Sequence, residues 1–409
     1  MDKGNCIMKK VLWVSASVPY DSVGHAGGKI HNYYLKYLKR EGHCDIKLVS
    51  FYWKRELKYI DLTKYGIDSI LCERAIWHPF TRVLFNIESA INPFNRYAGV
   101  IQNYTIYQVM NVLKQLKKDE YKPDIIILQW TEIFLLLPRV AKLFPDAKYI
   151  GIEEDVTFLR YRRLYESEKN FWLKIIRKHK YNHLCKIETD VCNAADKVIL
   201  NNTKDYAILK AQNVDVSRLY VWQPYFELLL DKKYLGDSNN IIFYGAMARE
   251  ENWKSAIWFI ENVFSKIEDQ TVRLLIIGSN PNEKLLQYAQ YDRVDILGYV
   301  EDVGSFFQHG LCLVAPLLIG AGVKIKVLEA MSAGIPVLTN DIGIEGINAV
   351  KGEQYLHCEK PQDYLDAIDL LIKYKEKKYQ LSLRAREFIK KEFDLHKSGH
   401  EFVELISQL

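Results

Sequence analysis

The chain has 409 residues, of which 49% are hydrophobic and 26% charged, an ordinary globular balance that excludes a disordered or fibrous protein. Its formal net charge of +5 is too small to indicate nucleic-acid binding by itself. The length predicts two or three domains.

The seven cysteines are scattered, with no CxxC pair and no spacing typical of a zinc site. An odd number excludes a complete set of disulfides, so a reducing cytoplasm is the simplest interpretation. The run VLWVSASV near the start has eight residues and contains two serines, which favours a β-strand over a signal peptide. No stretch approaches the roughly 18 apolar residues of a membrane span.

Short apolar runs alternate with amphipathic segments along the chain, a rhythm typical of βαβ units and parallel sheets. A helix is expected over 27–42, after the first strand. In the first half the pattern predicts five strands, at 11–17, 45–52, 124–130, 148–154 and 197–202.

The rhythm restarts near residue 240, after the stretch VWQPYFELLLDKKYLGDSNN, which we interpret as a linker. An amphipathic helix is expected over 252–269. The second half predicts six strands, at 240–246, 272–279, 294–300, 311–317, 336–340 and 354–358. The whole pattern predicts an α/β protein of two Rossmann-like, doubly wound domains that face a cleft.

The segment PLLIGAGVKIKVLEAMSAGIPVLTN, residues 316–340, holds the densest cluster of chemically useful residues. A predicted strand ends in a glycine loop and a helix follows, with Gly334 and Pro336 as stop signals. Ligands of parallel sheets bind beyond the carboxyl ends of the strands, often against a helix N-terminus. This segment is therefore the first candidate for a binding site.

Gly322, Lys326 and Glu329 are spaced by about one helical turn, so we expect them on one face, with Lys324 nearer the helix N-terminus. Cations and N–H groups suit a diphosphate, and a carboxylate suits the hydroxyls of a sugar. A capped helix with a solvated Lys–Glu pair is the alternative that the spacing alone leaves open.

The segment GAGVKIKVLEAMSAGIPVLTNDIGIEGI resembles the donor-site signature of glycosyltransferase family four, which are retaining group 1 enzymes with the GT-B fold. IIFYGAMAREENWKSAIWFIENVF, LLIIGSNP, ILGYVEDVGSFFQHGLCLVAPL and HAGGKIHNYYLKYL resemble further blocks of that family, so the resemblance spans most of the chain. It implies an acceptor-side domain at 1–225, a nucleotide-sugar domain at 226–390, and a C-terminal helix at 391–409 that crosses back to the N-domain.

The resemblance also implies roles for individual residues. Glu329 would bind the ribose hydroxyls, and Lys326, with Lys324 as the alternate, would bind the diphosphate. Close backbone approach, or contact with the donor or acceptor, is implied for a further set: Gly27, Gly28, Gly245, Gly278, Gly322, Thr339, Gly343 and Glu345. His25 is a candidate substrate contact or a solvent-facing loop residue, and Gly278 is a binding or a packing glycine.

The chain departs from the family pattern in the donor domain. Many relatives carry a second glutamate at the position of Ala321. The basic residues expected after the first strand of the domain are absent, and Ala246 and Asn252 stand there. Arg249 is close enough to substitute, and the two lysines of the 316–340 segment would supply the missing positive charge.

Three adjacent carboxylates, Glu153, Glu154 and Asp155, follow the strand at 148–154. Many relatives place a histidine near Glu154, facing the reacting sugar. Mutual repulsion should raise the pKa of at least one of these groups. Glu154 and Asp155, with Lys326, are the candidate catalytic residues; the alternative is a loop in which Asp155 caps the next helix.

The segment 160–186 contains nine Arg and Lys residues against two Glu, interleaved with aromatic and aliphatic residues. It could bind an anionic membrane surface, or form a helix with one buried face and a solvated basic face.

The expected function is retaining transfer of a sugar from a nucleotide-diphosphate sugar to a glycan or lipid-linked acceptor, in cell-surface polysaccharide or glycoconjugate synthesis. We expect a cytoplasmic protein, peripheral at the inner face of the plasma membrane, with no metal or other cofactor and no nucleic-acid partner. A non-catalytic GT-B partner subunit stays open as the alternative. An epimerase of the same fold is less favoured, and a dinucleotide oxidoreductase would need a GxGxxG loop that GHAGGK does not match.

Overall fold

The computed structural model describes residues 8–23, 25–42, 44–74, 97, 99–223, 225–226, 228–320 and 323–409. The chain divides into two compact units, one made of Met1–Tyr225 with Leu395–Leu409 and the other of Phe226–Asp394. The boundary lies inside the stretch that we interpret as a linker. No helix of the described segments is long and apolar enough to cross a membrane.

The first unit contains a seven-stranded, wholly parallel sheet of order β3-β2-β1-β4-β5-β6-β7. Strands β4 and β5 are apolar and almost entirely buried, as expected for strands covered on both faces. Its strands are β1 Lys10–Ser15, β2 Asp45–Tyr52, β3 Asp68–Glu73, β4 Ile125–Gln129, β5 Lys148–Glu153, β6 Lys197–Leu200 and β7 Leu219–Val221.

Helices cover this sheet. They are α1 Ala26–Glu41, α2 Asn103–Lys118, α3 Thr131–Phe134, α4 Leu137–Val140, α5 Thr157–Glu166, α6 Phe171–Ala194 and α7 Thr203–Ala211. Short 3-10 helices occupy Lys54–Tyr59, Leu62–Tyr65 and Val216–Arg218.

The second unit contains a six-stranded parallel sheet of order β10-β9-β8-β11-β12-β13. Its strands are β8 Asn240–Tyr244, β9 Arg273–Ile277, β10 Val294–Gly298, β11 Cys312–Ala315, β12 Val337–Thr339 and β13 Leu356–His357. Its helices are α8 Glu250–Asn262, α9 Glu283–Leu286, α10 Val303–His309, α11 Ile325–Ala333, α12 Asp341–Ile344, α13 Pro361–Lys373 and α14 Lys375–Glu392, with 3-10 turns at Phe264–Lys266 and Gln287–Gln290.

The last helix of the chain, α15 Leu395–Gln408, belongs to the first unit. Phe402 is fully buried there, edge-on to Trp13 and Trp222 at centroid distances of 6.0 and 5.3 Å. Tyr34 of α1 stacks on Trp222 at 3.7 Å, and its hydroxyl lies 2.5 Å from Ser398 Oγ. The helix therefore completes the core beneath β1, as its apolar residues required.

The expected fold class is confirmed, because both sheets are parallel and doubly wound, with the same order around a reversal between the first and fourth strands. Strands β3 and β7 were not predicted from the sequence. β3 is only half-buried and β7 has three residues, so neither produces a long apolar run. The helix expected over 252–269 ends earlier, at Asn262, and a 3-10 turn follows.

Candidate functional site

Two glycines follow the first two strands of the second sheet. Gly245 and Gly278 have φ angles of +154° and +152°, a backbone conformation that L-residues with a side chain rarely adopt. A Cβ on Gly278 would lie 1.6 Å from the carbonyl oxygen of Gly245, and one on Gly245 would lie 3.0 Å from Nδ2 of Asn252. Both glycines are thus required for the close packing of adjacent turns, whatever else approaches them.

Lys326 lies in the first turn of α11, and Lys324 is the residue that precedes the helix. The Lys326 ammonium donates to Asn252 Oδ1 at 2.8 Å and lies 5.5 Å from the centre of the Phe243 ring. Among the residues that the structure describes, no carboxylate forms an ion pair with it. Burial, with smaller contributions from the charges of Lys324 and Arg249, lowers the pKa of Lys326 to about 7.

This location is unfavourable for a cation, because the N-terminus of a helix carries partial positive charge and first-turn N–H groups point outward. Lys326 and Lys324 therefore add to a positive potential instead of compensating one. An anion at this point would relieve the repulsion among these groups, and a diphosphate has the required charge.

Asn252 was named from the sequence only as a departure from the family pattern, and the structure gives it a role. The side chain is buried in the first turn of α8; Nδ2 donates to the Ala246 carbonyl at 2.9 Å, and Oδ1 accepts from Lys326. Asn252 thereby connects the turn after β8 to the lysine of α11. The only sequence signal for this role was that Asn252 stands near a position where the family pattern has a basic residue.

Two expected charged residues already have protein partners. Arg249 precedes α8, pairs with Glu251 at 2.5 Å, and has a 69% exposed side chain. Lys324 lies 3.7 Å from Glu345, and both of these side chains are largely buried. Lys324 is thus partly compensated, whereas Lys326 is not.

Glu329 lies on α11, three residues after Lys326, and is only 3% exposed. Gly322 lies outside the described residues. Thr339 Oγ1, at the end of β12, donates to the Ala315 carbonyl at 2.8 Å. A Cβ on Gly343 would lie 1.8 Å from Thr339 Oγ1. These contacts give Thr339 and Gly343 a structural role in joining β11, β12 and α12.

In the first unit, Glu154 follows β5 and accepts two amide hydrogen bonds, from Gln129 Nε2 at 2.9 Å and from Asn201 Nδ2 at 2.6 Å. Trp13 Nε1 donates to Gln129 Oε1, and Trp222 Nε1 donates to Asn201 Oδ1. Because an indole N–H can only donate, each tryptophan fixes the orientation of its amide and directs the NH₂ group to Glu154.

The two amides thus hold Glu154 in place, whereas its surroundings disfavour the ionised carboxylate. Burial raises the pKa of Glu154 to about 7, and the charge of Asp155 contributes, although the two amide donors act in the opposite direction. Repulsion among these carboxylates was expected; burial is the larger cause.

The neighbours of Glu154 differ in exposure. Glu153 is 1% exposed, accepts from Thr131 Oγ1, and has a pKa that burial raises to about 8, whereas Asp155 is exposed. The residue that precedes α5 is Val156, not Asp155. The first N–H groups of α5 donate to the buried carboxyl of Glu188, which is distant in sequence, so the capping alternative for Asp155 is wrong.

The glycines of the first loop pack tightly. A Cβ on Gly27 would lie 3.3 Å from the carboxyl of Glu154, and one on Gly28 would lie 2.5 Å from Val23 Cγ2. His25 Nδ1 accepts from the Gly28 N–H at 3.0 Å and so caps α1. Gly27 and Glu154, predicted separately, are therefore brought together in the structure.

The segment 160–186 forms most of α5, the residues that follow it and the first two-thirds of α6. The buried residues of α6 begin at Leu184, so its first three turns extend beyond the core. They carry an exposed apolar face of Phe171, Trp172, Ile175 and Ile176, whose side chains are 68%, 72%, 48% and 38% exposed.

Comparison with known proteins places these sites in context. Residues 238–374 match the family described as Glycosyl transferases group 1, a range that contains every second-unit residue of the candidate site. An uncharacterised 44.6 kDa protein of the cps region of Klebsiella pneumoniae is 23% identical over 363 residues, which cover 85% of this chain and 87% of that protein.

Solved structures resemble the whole chain. Anabaena HepE in complex with UDP has a TM-score of 0.68 at 12% identity, covering 98% of this chain and 100% of that one; its complex with UDP-glucose has a TM-score of 0.65 at 14% identity and the same coverage. Sucrose-phosphate synthase from Thermosynechococcus elongatus has a TM-score of 0.69 at 13% identity, covering 98% of both chains. These likenesses show the GT-B fold, and the family match supports a glycosyltransferase of the group 1 type.

Proposed function

We propose that the chain is a retaining glycosyltransferase of family four that moves a sugar from a nucleotide-diphosphate sugar to a glycan or lipid-linked acceptor. The observation that carries this proposal is Lys326, a half-buried, desolvated cation at a helix N-terminus with no carboxylate ion partner among the described residues. It lies within the range that matches the group 1 family. The Klebsiella relative from a cps region supports a role in cell-surface polysaccharide synthesis.

In the donor site, Lys326 binds the diphosphate, and Lys324 is released from Glu345 to assist it. Glu329 accepts hydrogen bonds from ribose hydroxyls, which suits a carboxylate with limited access to water. The turns at Gly245 and Gly278 let backbone approach the nucleotide, and Arg249, Thr339 and Glu345 border the same anion. Solved structures of the same fold that contain UDP or UDP-glucose support a nucleotide sugar as the ligand.

Charge on the leaving diphosphate grows in the transition state, so a preorganised cation accelerates the reaction by electrostatic stabilisation. Two lysines and the helix N-terminus supply positive charge of the kind that a divalent metal provides elsewhere, and we propose that no metal is required. In the first unit, Glu154 and Asp155 are the candidates for contact with the reacting sugar or the acceptor hydroxyl. We propose front-face attack, assisted by the leaving group.

The test is a thermal-shift screen of nucleotide sugars on the full chain, followed by mass analysis with candidate acceptors. The proposal predicts stabilisation by at least one nucleotide sugar and transfer to an acceptor, in the presence of a chelator. Stabilisation without any transfer would favour the non-catalytic partner subunit, and no stabilisation by any nucleotide would contradict the proposed donor site.

The proposal includes a site of action on the cytoplasmic side, at the inner face of the plasma membrane. At about 100° per residue, Phe171, Trp172, Ile175 and Ile176 share an arc of about 140° that faces away from the core. Exposed lysines lie at 174 and 178, in and just after these turns, and Lys180 is half-buried. An outward apolar face bordered by lysines fits an anionic lipid surface.

Sedimentation with phosphatidylglycerol vesicles tests this site of action. Replacing Trp172 and Ile175 together by serine should abolish binding, and neutral phosphatidylcholine vesicles should bind the native chain weakly. The control is Leu286→Ser, an exposed leucine in the second unit. Equal sedimentation of the serine variant and the native chain would contradict membrane binding through α6.

A further inference from the structure

A cavity of about 570 Å³ opens in the first unit where β1 and β4 end. These strands are neighbours at the point where the order of the sheet reverses, the place where doubly wound folds bind ligands. We call it the strand-end pocket and define it by six of its lining residues: Arg55, Arg74, Arg160, Trp53, Trp130 and Tyr161.

Three arginines from separate parts of the chain line the strand-end pocket. Arg74 is fixed, because its guanidinium donates to the Ala16 carbonyl and lies 5.5 Å from the centre of the Trp53 ring. Arg55 and Arg160 are exposed, and their side chains make no hydrogen bond or ion pair with any other described residue. Guanidinium groups that are always charged and lack partners are suited to a carboxylate or a phosphate.

The carboxylates of the strand-end pocket do not cancel this charge. Glu56 accepts from the Trp53 N–H at 2.7 Å and lies 3.4 Å from the Tyr20 hydroxyl, so both of its oxygens are engaged. Burial raises the pKa of Glu132, and the charge of Arg74 opposes that rise. Three arginines against two carboxyls leave the lining with an excess of positive charge.

The aromatic residues suit a sugar ring. Trp130 directly follows β4 with φ +69° and ψ +140°, a conformation that is rare for a large side chain. The backbone N–H of Trp130 donates to the Ile152 carbonyl at 3.0 Å, and this hydrogen bond holds the strained backbone in place. Strain of this kind persists where the surrounding structure enforces it, and it clusters at ligand sites.

We propose that the strand-end pocket binds an acidic group carried on a sugar of the acceptor, a carboxylate or a phosphate, through Arg55, Arg74 and Arg160. The sugar ring packs against Trp53 and Trp130, because aromatic faces stack against apolar sugar faces. This inference rests on the proposed function for the word acceptor; the anion site itself rests only on the pocket. It narrows the acceptor from any glycan to one with an acidic residue.

The test measures binding of three small probes to the full chain by ligand-observed NMR: glucuronate, glucose 6-phosphate and glucose. At least one charged probe should bind about tenfold more tightly than glucose, since a charged hydrogen bond stabilises a complex by about that factor or more. The comparison between the two acids identifies a carboxylate or a phosphate as the natural group.

The variant is Arg55→Gln combined with Arg160→Gln, which leaves the packed Arg74 in place and should reduce charged-probe binding about tenfold. Arg162→Gln is the matched control; it lies on the same helix, pairs with Glu166 and is outside the pocket lining. Equal binding of glucose and the acids, no binding of either acid, or an equal loss in the control would overturn the proposal.

UDP binding, measured on the same samples, separates this inference from the proposed function. Loss of UDP binding in Lys326→Ala together with acid binding in the native chain supports both. Acid binding by a native chain that binds neither UDP nor any other nucleotide of the screen would leave the anion site standing and refute the donor site. UDP binding without acid binding would refute the anion site and leave the donor site standing.

Discussion

The two sheets of this protein share the same order over six strands, yet titratable groups of opposite sign lie in low-water surroundings at their carboxyl ends. The first sheet ends in buried carboxyls, with the pKa of Glu154 raised to about 7 and that of Glu153 to about 8. The second ends at a half-buried lysine, Lys326, whose pKa desolvation lowers to about 7. The fold thus selects where a ligand can bind, and the residues that follow the strands select its charge.

Burial explains why all three groups titrate near neutrality, because desolvation opposes the charged form of either sign. Each edge therefore holds a group whose ionisation is unfavourable without a partner. Glu154 has two fixed amide donors, whereas Lys326 has one amide acceptor and adjacent positive charge. This difference predicts that the second edge depends more strongly on a bound ligand.

The sharpest test of the comparison is Lys326→Ala. Turnover should fall about 100- to 1,000-fold, the range for removal of one preorganised group that stabilises a developing negative charge. Nucleoside monophosphate binding should change much less than nucleoside diphosphate binding. Lys390→Ala, an exposed lysine of the same unit, is the control. Unchanged turnover in a folded Lys326→Ala enzyme would refute the assignment.

Glu329→Gln tests the carboxylate that lies beside the basic edge. Removing one charged hydrogen bond to the ribose should weaken donor binding by about 1.5–3 kcal/mol, or about ten- to a hundredfold. The thermal stability of the variant should be close to that of the native chain, since the amide keeps the shape. A normal Michaelis constant for the donor would show that Glu329 does not contact it.

Opposite pH dependences of stability should distinguish the two edges. The raised pKa of Glu154 means that the folded state binds more protons than the unfolded state between pH 4.5 and 7, so its contribution lowers stability as pH rises. Because the pKa of Lys326 is lowered, the unfolded state binds more protons than the folded state between pH 7 and 10.5. Its contribution therefore raises stability as pH rises.

Urea unfolding across pH measures both contributions. Glu154→Gln should remove part of the decrease in the acidic window, and Lys326→Met part of the increase in the alkaline window, each by at most about 1.4 kcal/mol per pH unit. Parallel stability curves for a variant and the native chain would show that its side chain does not titrate abnormally.

The smallest expected effect concerns the backbone of Trp130. Trp130→Gly should be more stable than Trp130→Ala by about 1 kcal/mol, because glycine adopts positive φ without steric cost. Trp53 lines the same pocket with φ −90° and is the matched control, where alanine should be the more stable replacement. Alanine preferred at both positions would show that Trp130 is not strained.

Most of the fold could be predicted from the sequence, because buried parallel strands produce long apolar runs. These runs can be recognised without knowing which residues contact each other. It also predicted that Lys326 and Glu329 lie about one turn apart on one helix, because that spacing is local; their roles stay predictions. It did not reveal that Gln129 and Asn201 hold Glu154, that Asn252 holds Lys326, or that Glu188 caps α5. These contacts join residues far apart in the chain, and no local pattern encodes them. Arg74 and Trp130 were missed for the same reason.

The return of α15 to the first unit has a consequence for synthesis on the ribosome. Phe402 completes the core around Trp13 and Trp222, so residues that emerge early remain partly uncovered until the whole second unit has been made. The second unit is one continuous stretch and can fold as it emerges. We therefore expect nascent chains stalled before residue 395 to contain a protease-resistant second unit and a first unit that chaperones still recognise.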